Sequence, residues 1–185
     1  MTGQHTSGLL IVMRHAKTHL TSPTGDDFSR ALTPRGSADA LAMGAWLHGQ
    51  QPDLPRIVSS TALRTRQTVA AVTVPWGETP PATRWEPALY LADLGTLLEL
   101  VATLRDATTL LVGHNPGFEE LLRYLVRDPE QRPPLAGAGG KLMPTSAVYV
   151  LELPGRRGRP AAGSAVLRAH MRPKFLATGG TADED

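Results

Sequence analysis

The sequence predicts an α/β protein: a three-layer α/β/α sandwich with a mostly parallel central sheet and an antiparallel C-terminal hairpin. Three observations carry this. Short apolar runs at 8–13, 56–60 ("RIVSS") and 108–113 ("TTLLVG") are each followed by a helix-period pattern, the alternation that builds parallel sheets. Two late strand patterns, 146–153 ("SAVYVLEL") and 165–171 ("AVLRAHM"), are joined only by the basic loop "PGRRGRPAAGS", which leaves no room for a helix between them. The chain has 185 residues and 41% hydrophobic content, enough for one domain with a sizeable core.

The first run, "LLIVM", is five apolar residues without alternation, the pattern of a strand buried on both faces. Thr33-Pro34 then opens a helix, because threonine can cap and proline fits the first turn. Ala38, Leu41, Ala42, Ala45 and Trp46 follow at helical spacing, and the helix is expected to end before Gly49. A second helix is expected from about Ala62 to Val72, where "VPWGETPP" breaks it, and a third over 95–105. A fourth follows Pro116 through Phe118, Leu121, Leu122 and Leu125. The stretch 133–141 ("PPLAGAGGK") and the tail "ATGGTADED" carry no pattern. We therefore expect a single domain over 1–176 and a flexible acidic tail over 177–185. The basic loop between the last two strands reads as a solvated connection.

Composition excludes several function classes. Net charge is +2 and aromatics make up 5%, so the concentrated basic stripe with stacking rings that nucleic acids require is missing. With no cysteine, disulfides, thiolate catalysis and cysteine-based zinc sites are ruled out. The start "MTGQHTSG" is not a signal peptide pattern, and no apolar run approaches the roughly 20 residues that span a bilayer. A soluble, cytoplasmic protein without membrane or nucleic-acid partners is the expectation.

In open α/β sheets ligands bind beyond the carboxyl ends of the strands. The first strand ends in Arg14-His15-Ala16-Lys17-Thr18, and the second in "SSTALRTRQT", with Arg64 in the next helix's first turn. The third ends in Gly113-His114-Asn115-Pro116-Gly117. A lone strand-end histidine or helix arginine has an ordinary structural explanation. Three strands delivering Arg14, His15, Arg64 and His114 to one edge describe an anion pocket.

These residues also match a family. "RHAKT" resembles the Arg-His-Gly signature of the histidine phosphatase superfamily (the phosphoglycerate mutase-like proteins), and the chain is most similar to its SixA-type phosphohistidine phosphatases. "DDFSRALTPRGSADALAMGAWL" resembles that group's Arg-x-Leu-Thr-x-x-Gly stretch. "SSTALRTRQT" resembles its Ser-x-x-x-Arg-x-x-Gln-Thr element, "LLVGHNPG" its second histidine and "MPTSAVYVLEL" its late strand. The match runs in order from about residue 8 to 175. Ala16 departs from the signature glycine; were φ > 0 needed there, alanine would cost on the order of 1 kcal/mol or more. Alanine at this position is itself familiar among SixA-like sequences.

The resemblance implies His15 as a nucleophile that takes the phosphoryl group and yields it to water. Arg14 and Arg64 would hold the non-bridging oxygens, and His114 would contact the same oxygens. Lys17, Thr18 and Arg30 are candidate substrate-binding residues at the entrance. Gln67 and Thr68 share a helix face with Arg64 and are candidates to orient it. No metal or cofactor is implied, because the arginines and histidines supply the positive field. Glu86 is the positional candidate for a proton donor, with Asp93 the alternative. The short span between Arg64 and the strand at 108 leaves little chain for a cap, which suits a phosphohistidine on a signalling or phosphotransfer protein. A small-molecule phosphomonoesterase or mutase is the alternative, and a non-catalytic phosphate-binding module a third reading.

Overall fold

Six strands form one sheet in the order β3-β2-β4-β1-β5-β6. The computed structural model describes residues 7–126, 142–154 and 158–177. The strands are β1 (Gly8–Arg14), β2 (Arg56–Ser59), β3 (Ala82–Trp85), β4 (Thr108–Gly113), β5 (Val148–Leu153) and β6 (Val166–Met171). Helices are α1 (Pro34–Gln50), α2 (Leu63–Val72), α3 (Leu94–Thr103), α4 (Gly117–Leu125) and α5 (Pro173–Ala177). Strands β1 to β4 are mutually parallel, whereas β5 runs antiparallel to both β1 and β6.

The unbroken apolar character of β1 has a direct cause. Leu10 and Val12 pack on one side with Val58, Leu111, Leu97 and Leu121, so α3 and α4 cover that face. Ile11 and Met13 pack on the other with Ile57, Val112, Met43 and Val72, under α1 and α2. Successive side chains point to opposite faces, so a strand covered on both sides needs apolar residues at every position. The three layers and the C-terminal hairpin expected from the sequence are present.

Helix α1 begins as its sequence dictates: Thr33 Oγ1 accepts from the Gly36 N–H at 3.0 Å, and Pro34 fills the first turn. It runs through Gly49 to Gln50, two residues past its expected end, because the Gln51 N–H still bonds Leu47 O. Two elements were not expected. The β3 strand is short and mostly exposed at the sheet edge, so it carries no apolar run. Helix α5 is a single short segment whose Phe175 and Leu176 lean on the α1–α2 face. The patternless stretch 133–141, residues 155–157 of the basic loop and the tail from 178 lie outside the described residues. Among the described residues no helix is long and apolar enough to cross a membrane.

Candidate active site

The parallel strands β2, β4 and β1 lie side by side, and their carboxyl ends open on a pocket of about 660 Å³. Its lining brings together Arg14, His15, Lys17, Thr18, Arg30, Arg64 and His114, all of them singled out in the sequence. Register explains the assembly. Arg14 pairs with Gly113 and Ser59 with Val112, so the residues that follow each strand emerge level with one another. A second pocket, of about 270 Å³, opens at the other end of the sheet between Leu10, Val101 and Leu153, and among the described residues no histidine lines it.

The backbone around His15 is held from three directions. Its N–H donates to Gly113 O at 3.0 Å, extending the β1–β4 ladder, and its carbonyl accepts from the Ser146 N–H at 3.2 Å. The next N–H, of Ala16, donates to Thr68 Oγ1 at 3.0 Å, and Thr68 in turn donates to Arg64 O at 2.7 Å. Thr68 therefore acts on the backbone next to His15, and Gln67 accepts from the Leu32 N–H at 2.7 Å, fixing the loop that leads into α1. Ala16 is fully buried and lies outside the positive-φ residues, so its side chain adds no strain there. Positive φ falls instead on Ser146 (62°), behind His15, and on Leu91 (49°), at the pocket rim.

The His15 ring is 8% exposed, and its Nδ1 lies 2.8 Å from Ala16 O. A carbonyl only accepts, so Nδ1 carries the hydrogen and Nε2 keeps its lone pair. Burial, aided by Arg64, Arg14 and Arg30, lowers its pKa to about 4 despite the opposing pull of the Ala16 carbonyl. The ring is neutral at neutral pH. His114 is also buried, and burial with the charge of His15 and Arg64 lowers its pKa to about 3. Its Nδ1 accepts from Arg64 Nε at 3.3 Å, which leaves the hydrogen on Nε2, 2.9 Å from Ser60 Oγ.

The two arginines differ in setting. Arg14 Nη1 donates to Met143 O at 3.1 Å, a carbonyl shared with Asn115 Nδ2 at 2.9 Å. Glu119 backs this wall, accepting from Asn115 Nδ2 at 2.9 Å and from the Met143 N–H at 3.1 Å. Arg64 is almost completely buried, and three of the five N–H groups of its guanidinium are already engaged. Nη1 donates to the carbonyl of Asp27 at 2.6 Å and Nη2 to its carboxylate at 2.8 Å.

Asp27 is the residue that sequence reasoning missed. Among the described residues it is the one carboxylate that lines the pocket. Besides Arg64 it accepts from Arg30 Nη1 at 2.8 Å and from the Tyr90 hydroxyl at 2.9 Å. Those donors outweigh partial burial and hold its pKa at about 2, so it is ionised. Arg30 also donates to Thr18 Oγ1 and to His19 O, which ties the loop to the end of β1. Glu86 and Asp93 do not line the pocket. Glu86 accepts from the Ala88 N–H at 3.2 Å and faces Arg84 at 3.6 Å, while Asp93 caps α3 through the Thr96 N–H at 2.8 Å. The sequence signal for Asp27 was its spacing of three from Arg30, the pair it forms.

Comparison with known proteins agrees with this geometry. Residues 10–89 match the family model of the histidine phosphatase superfamily (branch 1). An uncharacterized protein of Mycobacterium tuberculosis is 35% identical over 165 residues, covering 88% of this chain and all of that one. The phosphohistidine phosphatase SixA of Escherichia coli is 29% identical over 135 residues, 68% of this chain and 78% of that protein. A candidate phosphohistidine phosphatase, SixA of Nakamurella multipartitia, superposes with a TM-score of 0.69 at 32% identity, covering 90% of this chain and 96% of its own. A neutral, buried histidine beside paired arginines at the end of β1, on this sheet order and with these relatives, makes the chain a member of the histidine phosphatase superfamily, a phosphatase of SixA-like build.

Proposed function

We propose that the protein hydrolyses phosphohistidine on a signalling or phosphotransfer protein, through a phosphohistidine intermediate on its own His15. One observation carries the reading: His15 is a neutral ring with Nδ1–H on the Ala16 carbonyl and Nε2 free, in a pocket lined by Arg14, Arg64 and His114. Nε2 attacks phosphorus in line, and the ring becomes a phosphoimidazolium whose positive charge the Ala16 carbonyl stabilises. Arg14 and the uncommitted N–H groups of Arg64 hold the equatorial oxygens as charge develops on them. His114 lines the same pocket and, by accepting from Arg64 Nε, helps to fix the guanidinium that holds the transferred group. Water next attacks the phosphoenzyme, the P–Nε2 bond breaks, and phosphate leaves with neutral His15 restored. The cationic side chains supply the positive field, so the scheme needs no metal.

The form of the rim supports a protein substrate. Leu20 is 91% exposed and Leu91 51% exposed, and both line the mouth. Between β2 and β4 the chain is spent on α2, a 3-10 turn at Val74–Trp76, β3, a second turn at Pro87–Leu89 and α3. A phosphorylated side chain on another protein can therefore enter the open pocket.

The test is a phosphatase assay of wild type and His15→Ala in EDTA, with a phosphohistidine peptide, p-nitrophenyl phosphate and sugar phosphates. The expected result is turnover of the phosphohistidine peptide, an acid-labile phosphoenzyme in wild type, and loss of both in His15→Ala. Full activity in His15→Ala removes His15 as nucleophile. Turnover of sugar phosphates but not of the peptide assigns the small-molecule phosphomonoesterase function instead.

A further inference from the structure

Phosphoryl transfer from a substrate histidine to His15 passes the group between two chemically identical rings. Each ring must hold a hydrogen on its far nitrogen while it carries phosphorus, since only then does it leave as neutral imidazole. On the enzyme's side the Ala16 carbonyl receives that hydrogen. The substrate's ring needs an equivalent acceptor, placed on the side of phosphorus away from His15. In-line displacement puts the leaving ring toward the mouth, above the buried nucleophile.

Asp27 lines the same pocket and is exposed at its mouth. Its side chain is 45% exposed, it is the one carboxylate lining the pocket among the described residues, and the loop that carries it is pinned by bonds to Arg64, Arg30 and Tyr90. Tyr90 and Arg64 share Oδ2, whereas Oδ1 has the single Arg30 donor, so the carboxylate keeps lone pairs to offer. Building on the phosphohistidine reading, we propose that Asp27 is a specificity-determining catalytic residue that accepts the distal N–H of the leaving imidazole and holds the substrate ring in its protonated form.

The step balances without an enzyme proton. His15 Nε2 forms the new P–N bond, the substrate's P–N bond breaks, and its electron pair returns to the substrate ring. That ring departs neutral, still carrying the hydrogen that faced Asp27. An ionised carboxylate suits this task and is unsuited to protonating an alkoxide, which fits the placement of Glu86 and Asp93 outside the pocket lining. The arrangement favours phosphoramidates over alkyl phosphates.

The experiment compares wild type with Asp27→Asn on a phosphohistidine peptide and on p-nitrophenyl phosphate, whose leaving group has no N–H. The expected result is that kcat/KM for the peptide falls about tenfold or more relative to that for p-nitrophenyl phosphate, the loss of a charge-assisted bond. The alkaline limb of the peptide's pH profile should also move to lower pH, because the ring loses the anion that favours its protonation. Asp27→Glu should recover part of the ratio, and Asp27→Ala should match Asp27→Asn, so one poorly folding variant does not decide the matter. Equal losses on both substrates assign Asp27 to holding Arg64 and overturn the proposal, as does an unchanged ratio. Wild type that turns over p-nitrophenyl phosphate but not the peptide instead overturns the phosphohistidine reading beneath it.

Discussion

The rings of His15 and His114 face each other with centroids 5.2 Å apart and planes tilted by 55°. Each has one nitrogen bound in a way that fixes its hydrogen: Nδ1 of His15 on a carbonyl, Nδ1 of His114 on an arginine. Two imidazolium ions at this separation, with Arg14 and Arg64 beside them, would repel strongly. The fold resolves this by keeping both neutral, which is also the state a nucleophile requires.

That choice makes the protein acid-sensitive. In the unfolded chain the two histidines titrate near pH 6.5, whereas in the fold they titrate near 4 and 3. Between these values the unfolded chain binds more protons, so stability falls as pH drops below about 6.5 and levels off only below about 3. From pH 7.5 to 5 the loss should be roughly 2–4 kcal/mol, read from urea unfolding midpoints. Asp27, held at about 2, contributes its own loss only below about pH 4. His114→Gln removes one of the two groups and should flatten the curve; an unchanged slope would mean His114 is not held neutral.

Thr68 is fully buried and joins the backbone that follows His15 to α2. Thr68→Val keeps the shape but leaves the Ala16 N–H without its acceptor. Stability should fall by about 1–3 kcal/mol. Because the carbonyl of the same residue, Ala16, receives the His15 Nδ1–H, a shift of Ala16 also misaligns Nε2, so kcat should fall with little change in KM. Urea unfolding and steady-state kinetics on the one variant test both effects; a stability loss with full kcat would confine Thr68 to a structural role.

Gly36 packs α1 against the segment that follows β1. An added Cβ would lie 2.1 Å from Lys17 O, a backbone atom that also accepts from the Thr33 N–H at 2.9 Å. Gly36→Ala must therefore push the helix away from the strand end. A cost of about 1–3 kcal/mol, the range for overpacking, is expected, together with weaker binding of inorganic phosphate as Lys17 and Thr18 move. A stability equal to wild type by thermal melting would show that the loop yields freely.

The elements legible in the sequence were those whose burial imposes a pattern. Strand β1 reads from its apolar run because both faces are covered, and α1 reads from Thr33-Pro34 because the cap is local. Strand β3 was illegible because an edge strand with mostly exposed residues needs no such pattern. The same logic divides the site. Arg14, His15, Arg64 and His114 occupy positions fixed by strand ends, so a reading of the sheet finds them. Asp27 sits in a loop without periodicity, and its partners Arg64 and Tyr90 lie 37 and 63 residues away. Glu86 drew notice by its place between elements, but its carboxylate serves the turn at Pro87–Leu89. That Arg64 would have Nη1 and Nη2 engaged was equally invisible, since their partner was Asp27.

Arg64 therefore does two things at once, and a lysine can do only one of them. Its Nε orients His114, while Nη1 and Nη2 bind Asp27 and face the pocket. Arg64→Lys preserves the charge but replaces a planar set of five donors by a single ammonium. Either His114 loses its Nδ1 partner or Asp27 loses its anchor, and the phosphoryl oxygens lose a directed donor in both cases. We expect kcat/KM to fall by about 100- to 1,000-fold, as when one preorganised donor to a developing charge is removed. Stability should change far less, because the ammonium can still pair with Asp27 at the half-exposed mouth. Steady-state kinetics with p-nitrophenyl phosphate measures this independently of any protein substrate. Activity within a few-fold of wild type would mean that positive charge alone, without the guanidinium's geometry, sustains transfer to His15.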